Sequence, residues 1–166
     1  PLGQTATRSL LPRRATIAPM TRTDFHTNVC DKIAYACRLV RKAYNAPNPS
    51  GATTRIVVMT ENTEQLARFD AALWAVSDVD FLPHVHVNDP LAPDTPIVLA
   101  DSDAVELPQA DLLVNLARRA PAQFENFPRL IEVVSSDEDD AAAGRIRFVA
   151  YKRQDFKPAH LNVGKA

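Results

Sequence analysis

Residues 55–84 read RIVVMTENTEQLARFDAALWAVSDVDFLPH, and this stretch decides the fold. Arg55–Met59 is β-branched and apolar without alternation, the pattern of a strand covered on both faces. Asn62 and Gln65 then stand at capping-box spacing ahead of a helical pattern over Thr63–Ala75. At about 100° per residue, Leu66, Phe69 and Leu73 share one narrow face of that helix. Trp74, the only tryptophan, projects roughly a quarter-turn or more away from the stripe, beside Ala67 and Ala71. A large aromatic off the buried face either packs under a loop of its own chain or awaits another molecule, and Phe81 lies just beyond it.

The same alternation continues outward in both directions. Thr21–His26 reads as a strand, followed by a helix from about Asn28 to Tyr44 with Val29, Ile33, Ala36, Cys37 and Val40 as apolar positions. Ala46–Gly51 ends it with strong turn chemistry. Downstream, Pro96–Ala100, Asp111–Leu116 and Leu130–Val134 read as short strands, with Pro121–Phe127 a loop or single turn and a last helix after Val134. Strands alternating with helices at this spacing predict an α/β fold, a mostly parallel sheet with helices on both faces. Residues 20–166 form one domain without internal repeats. Residues 1–19, rich in Pro, Thr and Arg and free of acidic residues, read as a disordered or non-native extension; their composition is also that of a transit peptide.

Bulk composition narrows the function. A chain of 166 residues with net charge −1 can bury a sizeable core and has no global attraction for nucleic acid or an anionic membrane. Two cysteines, Cys30 and Cys37, make no disulfide framework, so a reducing, cytoplasmic location is expected. No hydrophobic run reaches the length of a membrane span.

Catalytic motifs are scarce. Only four glycines occur, none in a GxGxxG or GxxxxGK[ST] pattern, so backbone amides have no Gly-rich turn for a pyrophosphate and no cofactor is expected. His84 and His86, with Asp89 nearby, could hold a metal but lack thiolate companions, and loop packing is the simpler reading. Cys30 with His26 lacks a third member and an oxyanion hole. The acidic runs 101–103 and 137–140 suit solvation and helix capping.

The last helix carries the more specific signal. Ser135 and Glu138 form a capping-box pair, Asp137, Asp139 and Asp140 place negative charge at its start, and Arg145, Arg147, Lys152 and Arg153 follow. On a helical wheel Ala142, Ile146, Val149 and Ala150 make the face expected against the sheet. Arg145, Phe148 and Lys152 form a stripe about 120° away, two cations flanking a ring. Such a stripe is either a solvated basic face or a receptor for an anionic, partly aromatic ligand, with Arg145 able to hold a carboxylate bidentately. Its brevity suits a short acidic peptide better than duplex DNA.

Two segments together resemble a known family. Phe69-Asp70-Ala71-Ala72-Leu73-Trp74 followed by Phe81-Leu82-Pro83-His84, and Arg145…Phe148-Val149-Ala150-Tyr151-Lys152 followed by Phe156, are similar to signatures of the chi subunit of bacterial DNA polymerase III holoenzyme. The likeness spans about Met20 to Val163. It implies a Rossmann-like three-layer α/β/α fold and a non-catalytic replisome subunit, linked to DNA-directed DNA polymerase activity only within the holoenzyme. It further implies a bridge between the clamp loader, through the psi subunit, and the acidic, Phe-ending C-terminal tail of single-stranded-DNA-binding protein. On this resemblance Trp74 and Phe81 face psi, while Arg145, Phe148, Val149 and Lys152 face the tail. Val149 stands where the family has lysine, and Lys152 fills the next basic position. A repair helicase is a further implied partner for the aromatic surface, and contact with DNA is mainly indirect. Two other readings compete: a direct single-stranded nucleic-acid module using Arg118, Arg119, Arg129 and the last helix, and a nucleotide-metabolising enzyme on the same fold.

Overall fold

A computed structural model describes residues 20–164; the expectation for residues 1–19 lies outside them. Seven strands form one wholly parallel sheet: β1 (Arg22–Val29), β2 (Ile56–Met59), β3 (His84–His86), β4 (Ile97–Ala100), β5 (Leu112–Asn115), β6 (Arg129–Ser135) and β7 (Ala159–Asn162). Their spatial order is β3-β4-β2-β5-β6-β1-β7. Helices α1 (Lys32–Asn45), α2 (Thr63–Ala75) and α3 (Glu138–Arg153) supply the outer layers. The apolar side chains of α1 and α2 pack on one face, with Val40, Phe69 and Leu73 over Ile56, Val58 and Val114. Phe25, Val57, Leu113, Leu130 and Tyr151 fill the other, beneath α3. The central strands β2, β4 and β5 are buried at every position, as their unbroken apolar runs require.

Local chemistry sets the helix boundaries. The Asn62 carboxamide oxygen accepts the Gln65 N–H at 2.8 Å, and the Gln65 side chain accepts the Glu61 N–H at 2.7 Å, so α2 opens on a capping box displaced by one residue on its return bond. Asp31 caps α1, accepting the Ala34 N–H, which starts that helix after Cys30 rather than at Asn28. Two strands fall outside the sequence reading: β3 forms where the His84 and His86 segment reads as loop packing, and β7 is short, polar and at the border of the sheet.

The inner face of α3 corrects the helical-wheel assignment. Ile146 is 71% exposed and Val149 45%, whereas Asp140, Gly144, Arg147 and Tyr151 are buried against the sheet. The cause is a polar clasp. The Arg147 Nε donates to Glu132 Oε2 at 3.1 Å, its Nη1 donates to the Arg118 carbonyl at 2.6 Å, and the Tyr151 hydroxyl donates to Glu132 Oε1 at 2.7 Å. Asn115 Nδ2 donates to both Glu132 oxygens from β5. Burial pushes the Glu132 carboxyl up, although the Arg147, Tyr151 and Asn115 contacts oppose the shift. Gly144 permits the close approach, because a Cβ there would sit 2.9 Å from Val134 Cγ1. The helix cap is also not the expected one: Asp137, not Ser135, accepts the Asp140 N–H, and Ser135 ends β6.

Asp140 closes the clasp at the C-terminal edge of the sheet. Its carboxylate accepts the Ser135 N–H at 2.7 Å and pairs with Lys32 Nζ at 2.9 Å, and Lys32 also donates to the Leu116 carbonyl. Burial pushes the Asp140 carboxyl up, but the Ser135 and Lys32 contacts outweigh it and hold it below the ordinary aspartate value.

Two stability outcomes follow from this clasp. Arg147→Ala strands the Glu132 carboxylate away from water and is expected to cost about 3–5 kcal/mol in urea unfolding. A carboxyl held low in the folded state stabilises above its unfolded value and loses that contribution as pH falls through the folded one. Asp140→Asn should therefore be less stable than the parent at neutral pH, the gap closing below about pH 4; urea midpoints over a pH series check this.

Candidate protein-docking sites

One site grows from the end of α2. With Leu66, Phe69 and Leu73 turned inward, Trp74 is left 56% exposed. The connection to β3 then presents Phe81 at 67% exposure while anchoring Leu82 in the core. That connection is held locally: Ser77 Oγ accepts the Val79 and Asp80 N–H groups, and Asp80 pairs with Arg41 of α1 at 2.6 Å. Trp74 and Phe81 meet with ring centroids 5.7 Å apart, and His84 lies 4.5 Å beneath the indole. An outward aromatic pair, one ring from the end of α2 and one from a locally held loop, makes an exposed apolar platform, with Val79 exposed beside it.

The second site lies between α3 and the β1–β7 border. A cleft of about 510 Å³, mostly apolar, is lined by Phe25, Val134, Arg145, Phe148, Val149 and His160 among others. Phe148 is half-buried, its ring edge-on to Phe25 at 5.2 Å, and Lys152 Nζ sits 5.6 Å from the Phe148 centroid. Arg145 is exposed, and among the described residues no carboxylate pairs with it. His160 closes the far wall, its Nε2 2.6 Å from the Thr27 hydroxyl. The structure thus brings Arg145, Phe148 and Val149 to one cleft, with Lys152 on its Phe148 side. His160 escaped the sequence reading because β7 itself did. An apolar pit with a free guanidinium at its lip can seat an aromatic side chain and a carboxylate together.

Other candidate residues are committed elsewhere. His84 bonds to Asp70 and the Leu82 carbonyl, the His86 Nδ1 meets the Asn88 N–H, and Asp89 turns to the Leu91 N–H. Among the described residues no group of three or more His, Cys, Asp and Glu could hold a metal ion. His26 Nδ1 meets the Tyr35 hydroxyl at 2.6 Å, and burial lowers the imidazole from its ordinary value. Burial pushes the Cys37 thiol up to about 12, while Cys30 is exposed. Arg119 donates to the carbonyls of Thr60, Glu61 and Asp101 across the strand ends, and Arg118 and Arg129 pair with Asp137 and Asp24. Each of the three arginines thus has an intramolecular partner, although Arg118 is half-exposed and lines a polar pocket with Lys32 and Arg68. No described helix is long and apolar enough to cross a membrane.

Comparison with known proteins places the chain. The C-terminal domain of the DEAD-box protein Dbp5 has the same fold, with a TM-score of 0.62 at 9% identity over 89% of this chain and 92% of that one. A DEAD box protein from Methanococcus jannaschii gives 0.57 at 10% identity, over 87% of this chain and 42% of that one. At such identities the likeness is one of architecture. Sequence relatives are more specific: DNA polymerase III subunit chi of Pseudomonas aeruginosa is 26% identical over 141 residues, 82% of this chain and 93% of that protein. The Haemophilus influenzae subunit chi is 26% identical over 110 residues, 66% of this chain and 76% of that protein. The family model described as "DNA polymerase III chi subunit, HolC" matches residues 20–159. A match of that extent, carrying both the Trp74 and the Arg145 segments, means that the chain belongs to the DNA polymerase III chi subunit family.

Proposed function

We propose that this chain is a non-catalytic adaptor of the replicative polymerase, joining the clamp-loader complex, through psi, to the C-terminal tail of single-stranded-DNA-binding protein. The observation that carries the reading is Arg145, exposed and unpaired among the described residues, at the lip of an apolar cleft floored by Phe25 and Phe148. A tail ending in phenylalanine presents an aromatic ring and a terminal carboxylate within one residue, and the cleft offers a partner for each. Lys152 adds a point charge for upstream acidic residues, while Val149, in the place of a family lysine, makes that wall apolar. Psi is the proposed occupant of the Trp74–Phe81 platform, and a repair helicase would compete for the same aromatic surface.

Affinity for DNA is then mainly indirect, consistent with a net charge of −1 and with carboxylate or carbonyl partners beside Arg118, Arg119 and Arg129. Function in a bacterial cytoplasm at the replication fork belongs to the same proposal.

Each surface has its own test. Arg145→Ala is expected to weaken binding of the tail peptide by about 1.5–3 kcal/mol, the scale of a charge-assisted hydrogen-bonded contact; calorimetry giving the parental affinity would remove Arg145 from the site. Trp74→Ala should abolish co-purification with psi while leaving tail-peptide affinity at the parental value.

A further inference from the structure

The structure assigns a positioning role to Asp70 and His84: together they hold Trp74 in its outward, contact-ready orientation. His84 is buried at the start of β3, and both ring nitrogens are engaged. Its Nδ1 lies 2.7 Å from the Leu82 carbonyl oxygen, and its Nε2 lies 2.7 Å from Asp70 Oδ1 on α2. The imidazole is therefore fixed from two sides, by its own loop and by the neighbouring helix. Its ring is the floor on which the indole rests, 4.5 Å between centroids and tilted 51°. Asp70 and Trp74 are one helical turn apart, so the carboxylate that grips His84 and the ring that His84 supports arise from the same face of α2.

The arrangement is a brace for an exposed side chain. An indole 56% open to solvent has little packing of its own to restrict it. Ordering such a side chain on binding costs free energy, and a brace removes part of that cost before the partner arrives. The pair also accounts for the spacing Asp70…Trp74…His84, which brings three distant-looking positions into one contact chain. This inference rests on the reading of the Trp74–Phe81 platform as the psi surface, but its first readout is independent of any partner.

Trp74 is the only tryptophan, so fluorescence anisotropy decay of the full chain reports its motion alone. Asp70 is the suitable position to vary, since its side chain is 45% exposed. Asp70→Ala should stay cooperatively folded with a modestly lowered melting temperature, since the buried His84 Nε2 loses its partner. It should also add a fast depolarising component and weaken binding of purified psi about 2–10-fold, the scale of one side chain left to be ordered. Asp70→Asn, whose carboxamide can either accept from or donate to His84 Nε2, should restore slow decay and most of the affinity. A folded Asp70→Ala chain with a rigid Trp74 would overturn the brace. So would loss of folding in that variant, since the pair would then serve the core. A mobile Trp74 with undiminished psi affinity would overturn the contact-ready role, and Trp74→Ala measured alongside separates that outcome from a failure of the psi reading itself.

Discussion

The buried contact of Glu132 with Arg147, Tyr151 and Asn115 sets the geometry on which the α3 cleft depends. A carboxylate sealed in a sheet is costly unless every donor is in place. Those donors come from β5 and α3, so satisfying Glu132 fixes the rotation of α3 about its own axis. With Arg147 and Tyr151 drawn inward, Arg145 is turned out to the lip of the cleft and Phe148 falls on its floor against Phe25. An apolar interface would tolerate several rotations of the helix; this one tolerates a single setting. Gly144 fixes the remaining variable, the separation between α3 and β6.

That polar clasp is also why part of the molecule could not be read from its residues. Hydrophobic periodicity locates a buried face only when the face is apolar, as along α2, where Leu66, Phe69 and Leu73 are inward and Trp74 lies off the stripe as the pattern says; its exposure decides between the two readings that the pattern left open. Along α3 the same rule picks Ala142, Ile146, Val149 and Ala150, and it fails because the inward positions are Asp140, Gly144, Arg147 and Tyr151. Arg145 and Phe148 were still legible as a stripe, since their relation to each other depends on spacing and not on which face is buried. β3 and β7 escaped because three and four residues bearing histidines give too little alternation to register. With β7 went His160 and hence the far wall of the cleft.

The topology sorts the two surfaces in space. The Trp74–Phe81 platform leans on β3, one border of the sheet, while the cleft opens at β7, the other. Six interstrand steps of about 4.8 Å separate those borders, roughly 29 Å. They also lie in different outer layers, α2 on one face and α3 on the other. Two ligands of ordinary size bound there would not collide.

Both borders end in strands unusually poor as templates for further pairing. β3 has three residues and is preceded by Pro83; β7 has four, with Lys157 and Pro158 immediately ahead. A parallel sheet left open on two sides could otherwise extend by adding copies of itself, and brevity, proline and charge are the usual guards against that. The two margins of the sheet are thereby protected from fibrous stacking of the chain upon itself.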